Sequence, residues 1–242
     1  MRSRSLTTIS WSAVWLVVVV ITLGGCATRS ISDSGYRGEY GWMGRSQVAE
    51  LSEFSVLGID PNQPITDQDI AAQYAARKPV KLRKGAGILL IQSGAMFPDE
   101  PMQRELAKTF RVGPFSGIAA ASTGNYSKAL RLSAAQGGYD YILCYWGVLE
   151  ASQKKLATKG VSWVPIVGRA IPDETQQMRI RLKAFVVDVR TGQWVMIGPD
   201  AIGDNAVSAH INRETSDQAQ VAELKDKAYT ALAAELCAKY TE

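Results

Sequence analysis

One histidine and three cysteines in 242 residues leave little material for metal ligation or nucleophilic chemistry. Charge of one sign is lacking too: 27 basic residues stand against 23 acidic ones, a formal +4. Arg2 and Arg4 fall in a leader argued below to be removed, which leaves 25 basic residues and a net +2. That balance is no nucleic-acid footprint. No GxSxG elbow, HExxH pair, GxxxxGK[ST] loop or GxGxxG fingerprint occurs, so the motif-marked hydrolases, zinc peptidases and nucleotide binders are excluded on pattern. What is present is 46% hydrophobic and 21% charged residues, the balance of one folded domain, or of one domain and a tail.

The amino terminus carries the strongest signal. Arg2 and Arg4 precede the apolar run Ala13 to Leu23, which is too short to span roughly 30 Å of hydrocarbon but has the length of a secretory core. The run ends in Leu23-Gly24-Gly25-Cys26. Small residues enter a tight protease site, and a Cys thiol is the natural acceptor for a diacylglyceryl group. This order resembles the bacterial lipobox. The resemblance implies cleavage before Cys26, palmitate-type acylation of that residue, and a mature chain held on a membrane. Ala27 and Thr28 follow where enteric inner-membrane lipoproteins carry Asp, so the sorting rule implies the outer membrane, facing the periplasm.

Three segments follow from this reading: a signal peptide over 1–25, a lipidated tether with short helices over 26–84, and a periplasmic α/β domain over 85–242. Thr28 to Gly44 is rich in Ser, Gly and Tyr without periodicity, as in a flexible or adherent spacer. A short helix is expected within Ser46 to Phe54. Thr66 and Asp69 form a capping-box pattern opening a helix to about Arg77, and Lys78-Pro79 ends it. Lys78, Lys81, Arg83 and Lys84 are read as a solvated approach to a strand.

The nearly all-apolar Gly87 to Gln92 predicts a strand buried on both faces. Asp99 is placed to cap a helix with Pro101 in its first turn, running to about Phe110. An extended segment over Arg111 to Ala120 comes next, then a helix capped by Asn125 and stopped by Gly137-Gly138. Tyr139 to Leu149 is the longest strand signal. Met178 to Ala184 alternates Arg179, Arg181 and Lys183 with apolar residues, predicting one basic, wet face. Val186 to Ile197 predicts a hairpin turning at Gly192. A final helix from about Ser216 to Tyr240 puts Val221, Leu224, Ala228, Ala231, Leu232 and Leu236 on one side. The fold class expected is α/β, a mixed sheet with helices packed on it.

Gly-Gly-Tyr139-Asp-Tyr-Ile-Leu143 entering the central strand and Phe185-Val-Val-Asp-Val-Arg-Thr-Gly192 in a late hairpin resemble the fold shared by the TolB amino-terminal domain, CsgG-type lipoproteins and LpoB-type synthase activators. The stretch Ser162 to Gly168 is similar to rhombotarget lipoproteins, whose carboxy-terminal sorting signal is absent here. The resemblance implies fold more than activity.

Ser152-Gln-Lys-Lys155 matches SxxK, but without the partner motifs of the acyl-transfer enzymes. His210 lies in a polar loop, and Asp188 reads as turn support. No catalytic residue, metal ligand or cofactor is expected. Cys144 and Cys237 make an even pair in a disulfide-permitting compartment, so both a bond and two free thiols stay open. Val161 to Gly168 is apolar with Pro165 inside, which spoils the alternation of a membrane-inserting hairpin. A partner-binding lip with Trp163 and Ile166 is expected instead. The function expected is a non-catalytic module for envelope proteins or peptidoglycan-associated machinery. A CsgG-like homo-oligomeric export pore is the alternative, and an unrecognised hydrolase stands behind both.

Overall fold

A computed structural model describes residues 30–33, 50–119, 125–154, 161–165, 178–204 and 213–242. The leader, Cys26, Ile166, Lys155 and His210 lie outside these residues.

The strand predicted over Gly87 to Gln92 is β1 (Gly87–Gln92), with every residue buried. It sits second from one edge of a sheet ordered β2-β1-β3-β5-β6, in which β2 (Arg111–Phe115) and β3 (Tyr141–Lys154) flank β1 in parallel. β5 (Met178–Asp188) runs antiparallel to β3, and β6 (Trp194–Ile197) forms the far edge. Off this path, β4 (Val161–Pro165) pairs with the end of β3, and β7 (Ile202–Asp204) with the start of β5.

The strand period of two divides the core. Ile88, Leu90, Leu143, Tyr145 and Leu149 face one side with the closing helix, whereas Leu89, Ile91, Ile142, Cys144 and Trp146 face the other. The first side is covered by α3 (Glu100–Ala107) and α5 (Arg213–Tyr240), the second by α4 (Tyr126–Gln136) through Leu130 and Ala134. α1 (Glu53–Leu57) adds Val56 to the second side. β5 shows the transition directly: its residues alternate in burial from Met178 to Lys183, then are continuously buried from Ala184 to Val187. Phe185 and Val187 belong to the core on α4's side, while Arg179, Arg181 and Lys183 lie further along the same face.

Local chemistry explains most boundaries. Around α2 (Asp67–Ala76), Thr66 Oγ1 accepts from the Asp69 amide and the Asp69 carboxylate accepts from the Thr66 amide, the reciprocal box expected. Of the short helix predicted within Ser46 to Phe54, residues 46–49 lie outside the described residues; α1 overlaps the span at Glu53 and Phe54 and is ended by Gly58 at φ 74°. Asp99 and Asn125 stand at the N-cap positions of α3 and α4 but make no side-chain cap bond. Asp99 is drawn away by tertiary partners, described below.

The core also draws on residues well before Gly85: Ile31, Leu51, Val56, Val80 and Leu82 are all buried in it. Ser30 forms an antiparallel bridge with Val148 of β3, and a single turn of 3-10 helix, Ile31–Asp33, follows. Part of the stretch read as spacer is therefore built into the sheet. A side chain so apolar as Ile31 finds a slot because Gly147, opposite it, has none: a Cβ there would lie 2.7 Å from Ile31 Cδ1.

Candidate functional site

The carboxyl end of β1 is where a sheet of this winding offers a ligand crevice. The chain leaves β1 through α3 toward β2 and returns through α4 to β3 on β1's other side, so the connections part there. Here the crevice is filled by the protein's own chain. Ser32 Oγ donates to the Ser93 carbonyl (2.6 Å) and accepts from Gln92 Nε2 (3.0 Å). The Leu51 amide donates to Ser93 Oγ (2.8 Å), and Trp146 Nε1 donates to the Leu51 carbonyl (2.9 Å). Gly94, at φ 76°, lies close against Glu50 and Ser32.

Beneath this plug runs a polar relay. Gln92 Oε1 accepts from Tyr145 OH (2.6 Å) and from the Asp99 amide (2.7 Å). Asp99 Oδ2 accepts from Lys225 Nζ (2.8 Å) and Tyr229 OH (2.5 Å), so α3 is tied to α5 through a nearly buried ammonium group. The two tyrosine rings meet edge to face at 5.8 Å. Lys, Tyr and Asp together suggest acid-base work, but here each atom's bond ties one element of the fold to another.

Burial pushes the phenols of Tyr145 and Tyr229 well above their ordinary value, and that of Tyr126 up to about 12, aided there by the Cys144 sulfur. Each phenol holds its proton more tightly in the folded chain than in the unfolded one. Their stabilisation is thus intact below pH 10 and is lost as pH rises through the folded values. Denaturant midpoints measured across this range should fall steeply between about pH 10 and 12, together with the appearance of tyrosinate absorbance. A midpoint unchanged to pH 12 would contradict the buried relay.

The Asp140 and Asp188 motifs meet at the opposite end of the sheet. Asp140 Oδ2 accepts from the Gly87 amide (3.0 Å) and Asp188 Oδ1 from the Thr191 amide (2.7 Å), so both signature carboxylates brace turns. Asp188 thus holds the hairpin turn as expected. With Arg83, Tyr141 and Arg190 they line a depression of about 170 Å³. A second depression, about 320 Å³, lies between Arg131, Lys128, Leu132, Ala135 and Val189. Arg131 is committed there to the carbonyls of Val189 and Arg190.

The basic stripe of β5 is wet but not uncompensated. Glu150, buried, bonds both Arg179 Nε (2.6 Å) and an Arg181 terminal nitrogen (2.7 Å), and Lys183 pairs with Glu53. Cross-strand register explains this: Glu150 faces Arg179 in the β3/β5 ladder. Lys78, Lys81, Arg83 and Lys84 are exposed, as read.

Of the residues singled out by sequence, Trp163 lies in β4 opposite Ser152 of β3. Ser152 thus belongs to a strand, and Lys155, the other end of the SxxK match, lies outside the described residues. Cys144 and Cys237 are free thiols. The pairing left open by their number is not formed, because the sheet stands between them: Cys144 is buried on the α4 side, while Cys237 packs on the α5 side with Sγ 3.6 Å from Thr109 Oγ1. Burial raises the Cys144 thiol well above its usual range. Mass mapping without reductant should find two free thiols, with Cys237 modified first and Cys144 only after unfolding; a linked peptide pair would refute this placement.

Sequence reasoning missed an exposed apolar surface. Ile70 and Tyr74 of α2 are 60% and 77% exposed, and none of that helix's residues is buried. Gln193 pins the helix end beside β6 by accepting from the Lys78 amide (2.6 Å) and donating to the Ala76 carbonyl (3.0 Å). Trp194 and Met196 on that edge strand are also exposed. An α2 sequence of mixed apolar and acidic residues carries no sign of which face stays uncovered. Among the described residues, no helix is long and apolar enough to cross a membrane, and no cluster of three or more metal-ligating side chains forms.

These features define an α/β domain with helices on both faces of a mixed sheet, closed at its ligand crevice by its own amino-terminal segment. The chain belongs to the YafT bacterial lipoprotein family, which matches residues 52–239. It is a lipid-anchored protein of the cell envelope. No curated protein matches it. Among solved structures it is similar to a PelC dodecamer from Paraburkholderia phytofirmans (12% identity, TM-score 0.28, 64% of this chain and 95% of that one). It is also similar to a hypothetical protein from Chlamydia trachomatis (12% identity, TM-score 0.33, 64% and 99%).

Proposed function

We propose that this lipoprotein is a non-catalytic binding or assembly module, acylated at Cys26 in the outer membrane and presenting a TolB-, CsgG- or LpoB-like domain to partners in the periplasm. The observation that carries the reading is the filled crevice: the place where α/β sheets of this winding hold ligands is occupied by Ser32 and Leu51, with their hydrogen bonds satisfied. The apolar surface of α2 and β6 supports it, since exposed groups such as Tyr74 and Trp194 are what a protein partner would cover. The lip at Trp163 and Ile166 belongs to the same reading.

The test is photo-crosslinking in intact cells from positions 74, 163 and 194. One envelope protein, recovered repeatedly and lost in Tyr74→Glu, Trp194→Glu or Trp163→Asp variants that still fold, is the expected result. Labelling by a serine-directed probe that disappears in Ser152→Ala would instead establish a hydrolase and overturn the reading.

A further inference from the structure

The depression at the Asp140 and Asp188 end of the sheet sets two guanidinium groups, those of Arg83 and Arg190, among two carboxylates beside Tyr141. The fold uses only part of each carboxylate. Asp140 accepts the Gly87 amide on Oδ2, which leaves Oδ1 with a 3.4 Å contact to Arg83. Asp188 accepts from the Thr191 amide and hydroxyl on Oδ1, and its Oδ2 takes no hydrogen bond among the described residues. The Arg83 side chain is 70% exposed, so its long pair with Asp140 contributes little to stability and opens readily. Arg190 is exposed, and its side chain has no partner among the described residues. The backbone that carries these charges is nevertheless braced. Arg131 donates to the carbonyls of Val189 and Arg190, both at 2.8 Å, which fixes the turn at Arg190. Tyr141 OH donates to the Lys81 carbonyl (2.7 Å), and Leu82 is bonded through its backbone to Tyr240 and Glu242, so Arg83 departs from a fixed point.

We propose that this depression binds the amino-carboxylate head of an α-amino acid, with the carboxylate held by Arg83 and Arg190 and the ammonium by Asp140 and Asp188. Charge complementarity selects that ligand. A simple anion here meets two carboxylates, and a simple cation meets two guanidinium groups, whereas a head carrying both charges on one carbon satisfies all four side chains. Size agrees: about 170 Å³ lies below the roughly 300–1,000 Å³ of pockets that enclose whole drug-sized ligands, as a small head group requires. Charges mounted on braced backbone lose less freedom on binding, which favours capture of so small a group. Free amino acids carry this head, and so do the diamino acids of cell-wall stem peptides; the site meets the same chemistry in both. The depression is separate from the surface of α2 and β6, so its ligand does not depend on the partner proposed above.

The test is a ligand-observed NMR titration of the full-length protein in detergent with L-alanine and with meso-diaminopimelate. At least one of the two should bind. The N-acetyl and amide derivatives of the probe that binds, which remove the ammonium charge and the carboxylate in turn, should each bind about tenfold more weakly or worse. Arg190→Gln and Asp188→Asn should likewise weaken binding about tenfold with the melting temperature unchanged, since the Arg190 side chain is exposed and an Asn oxygen still accepts from Thr191. Comparable affinity for both probes supports a site for free amino acids; binding of diaminopimelate alone supports a head presented on a longer chain. No binding of either probe up to about 10 mM overturns the proposal, as does equal binding of the N-acetyl derivative. Variants that melt as wild type and still bind as tightly also overturn it, because the head would then sit elsewhere.

Discussion

Cys26→Ser should convert the protein from a membrane-bound form to one that is released or left unprocessed, with no palmitate incorporated. On the acylation reading the thiol forms the thioether to diacylglycerol, and a serine oxygen does not take its place. The size of the effect comes from the acyl chains: each buried methylene contributes about 0.8 kcal/mol, one chain holds a protein only marginally, and two or three hold it durably. No described helix offers a substitute, since none could cross a membrane. Metabolic labelling with palmitate and fractionation of wild type and variant measure both consequences. A variant that stays labelled and sediments with membranes would remove Cys26 as the anchor. Ser is close to Cys in volume, so a general folding defect would not explain release, and a thermal unfolding curve equal to wild type controls for it.

Ile31→Ala should cost about 2–5 kcal/mol through lost burial and the cavity left behind. Ile31 is 1% exposed, and its side chain and that of Leu182 both crowd the position of a Gly147 Cβ. Thermal unfolding should record a fall in Tm of roughly 2–4 °C per kcal/mol for a domain of this size. The partner residue gives an internal check. Gly147→Ala puts a Cβ 2.7 Å from Ile31 Cδ1 and 2.6 Å from Leu182 Cδ2, and overpacking of this kind costs about 1–3 kcal/mol. Combined with Ile31→Ala, the Gly147→Ala methyl enters space the smaller side chain vacates, so the double variant should be more stable than the two single losses added together. Strict additivity would mean that Ile31 does not occupy the slot. Ile31→Ala should also loosen Ser30 from β3.

How much of this was legible depends on whether a feature is local. The capping box at Thr66, the span of β1 and the turn at Gly192 follow from residues a few positions apart, and the sequence reading placed all three. Asp99 marks the boundary of that method. Its position before Pro101 is that of a cap, yet its carboxylate is taken by Lys225 and Tyr229, more than 120 residues away. The same holds for β3, read as ending at Leu149: β4 and β5 supply partners that carry it to Lys154. Polar residues such as Ser152 and Gln153 look like the end of a strand only while their neighbours are unknown.

The candidate site was the least legible part. Nothing in Ser30-Ile-Ser-Asp33 distinguishes it from the Ser-rich residues around it, because one isoleucine has no periodicity to read. Its burial depends on Gly147 over a hundred positions later and on the crevice formed where α3 and α4 part.

By itself the sequence determined the class of protein: small residues before a Cys in the order of a lipobox, and alternating and continuous apolar runs that set an α/β sheet. These are properties of chain order and composition, which do not wait on folding. Only the tertiary structure decided that Cys144 and Cys237 are on opposite sides of a sheet, that the crevice is closed by Ser32 and Leu51, and that Ile31 is built into the core. Each is a contact between segments distant in the chain, chosen by shape and hydrogen-bond satisfaction rather than by local pattern.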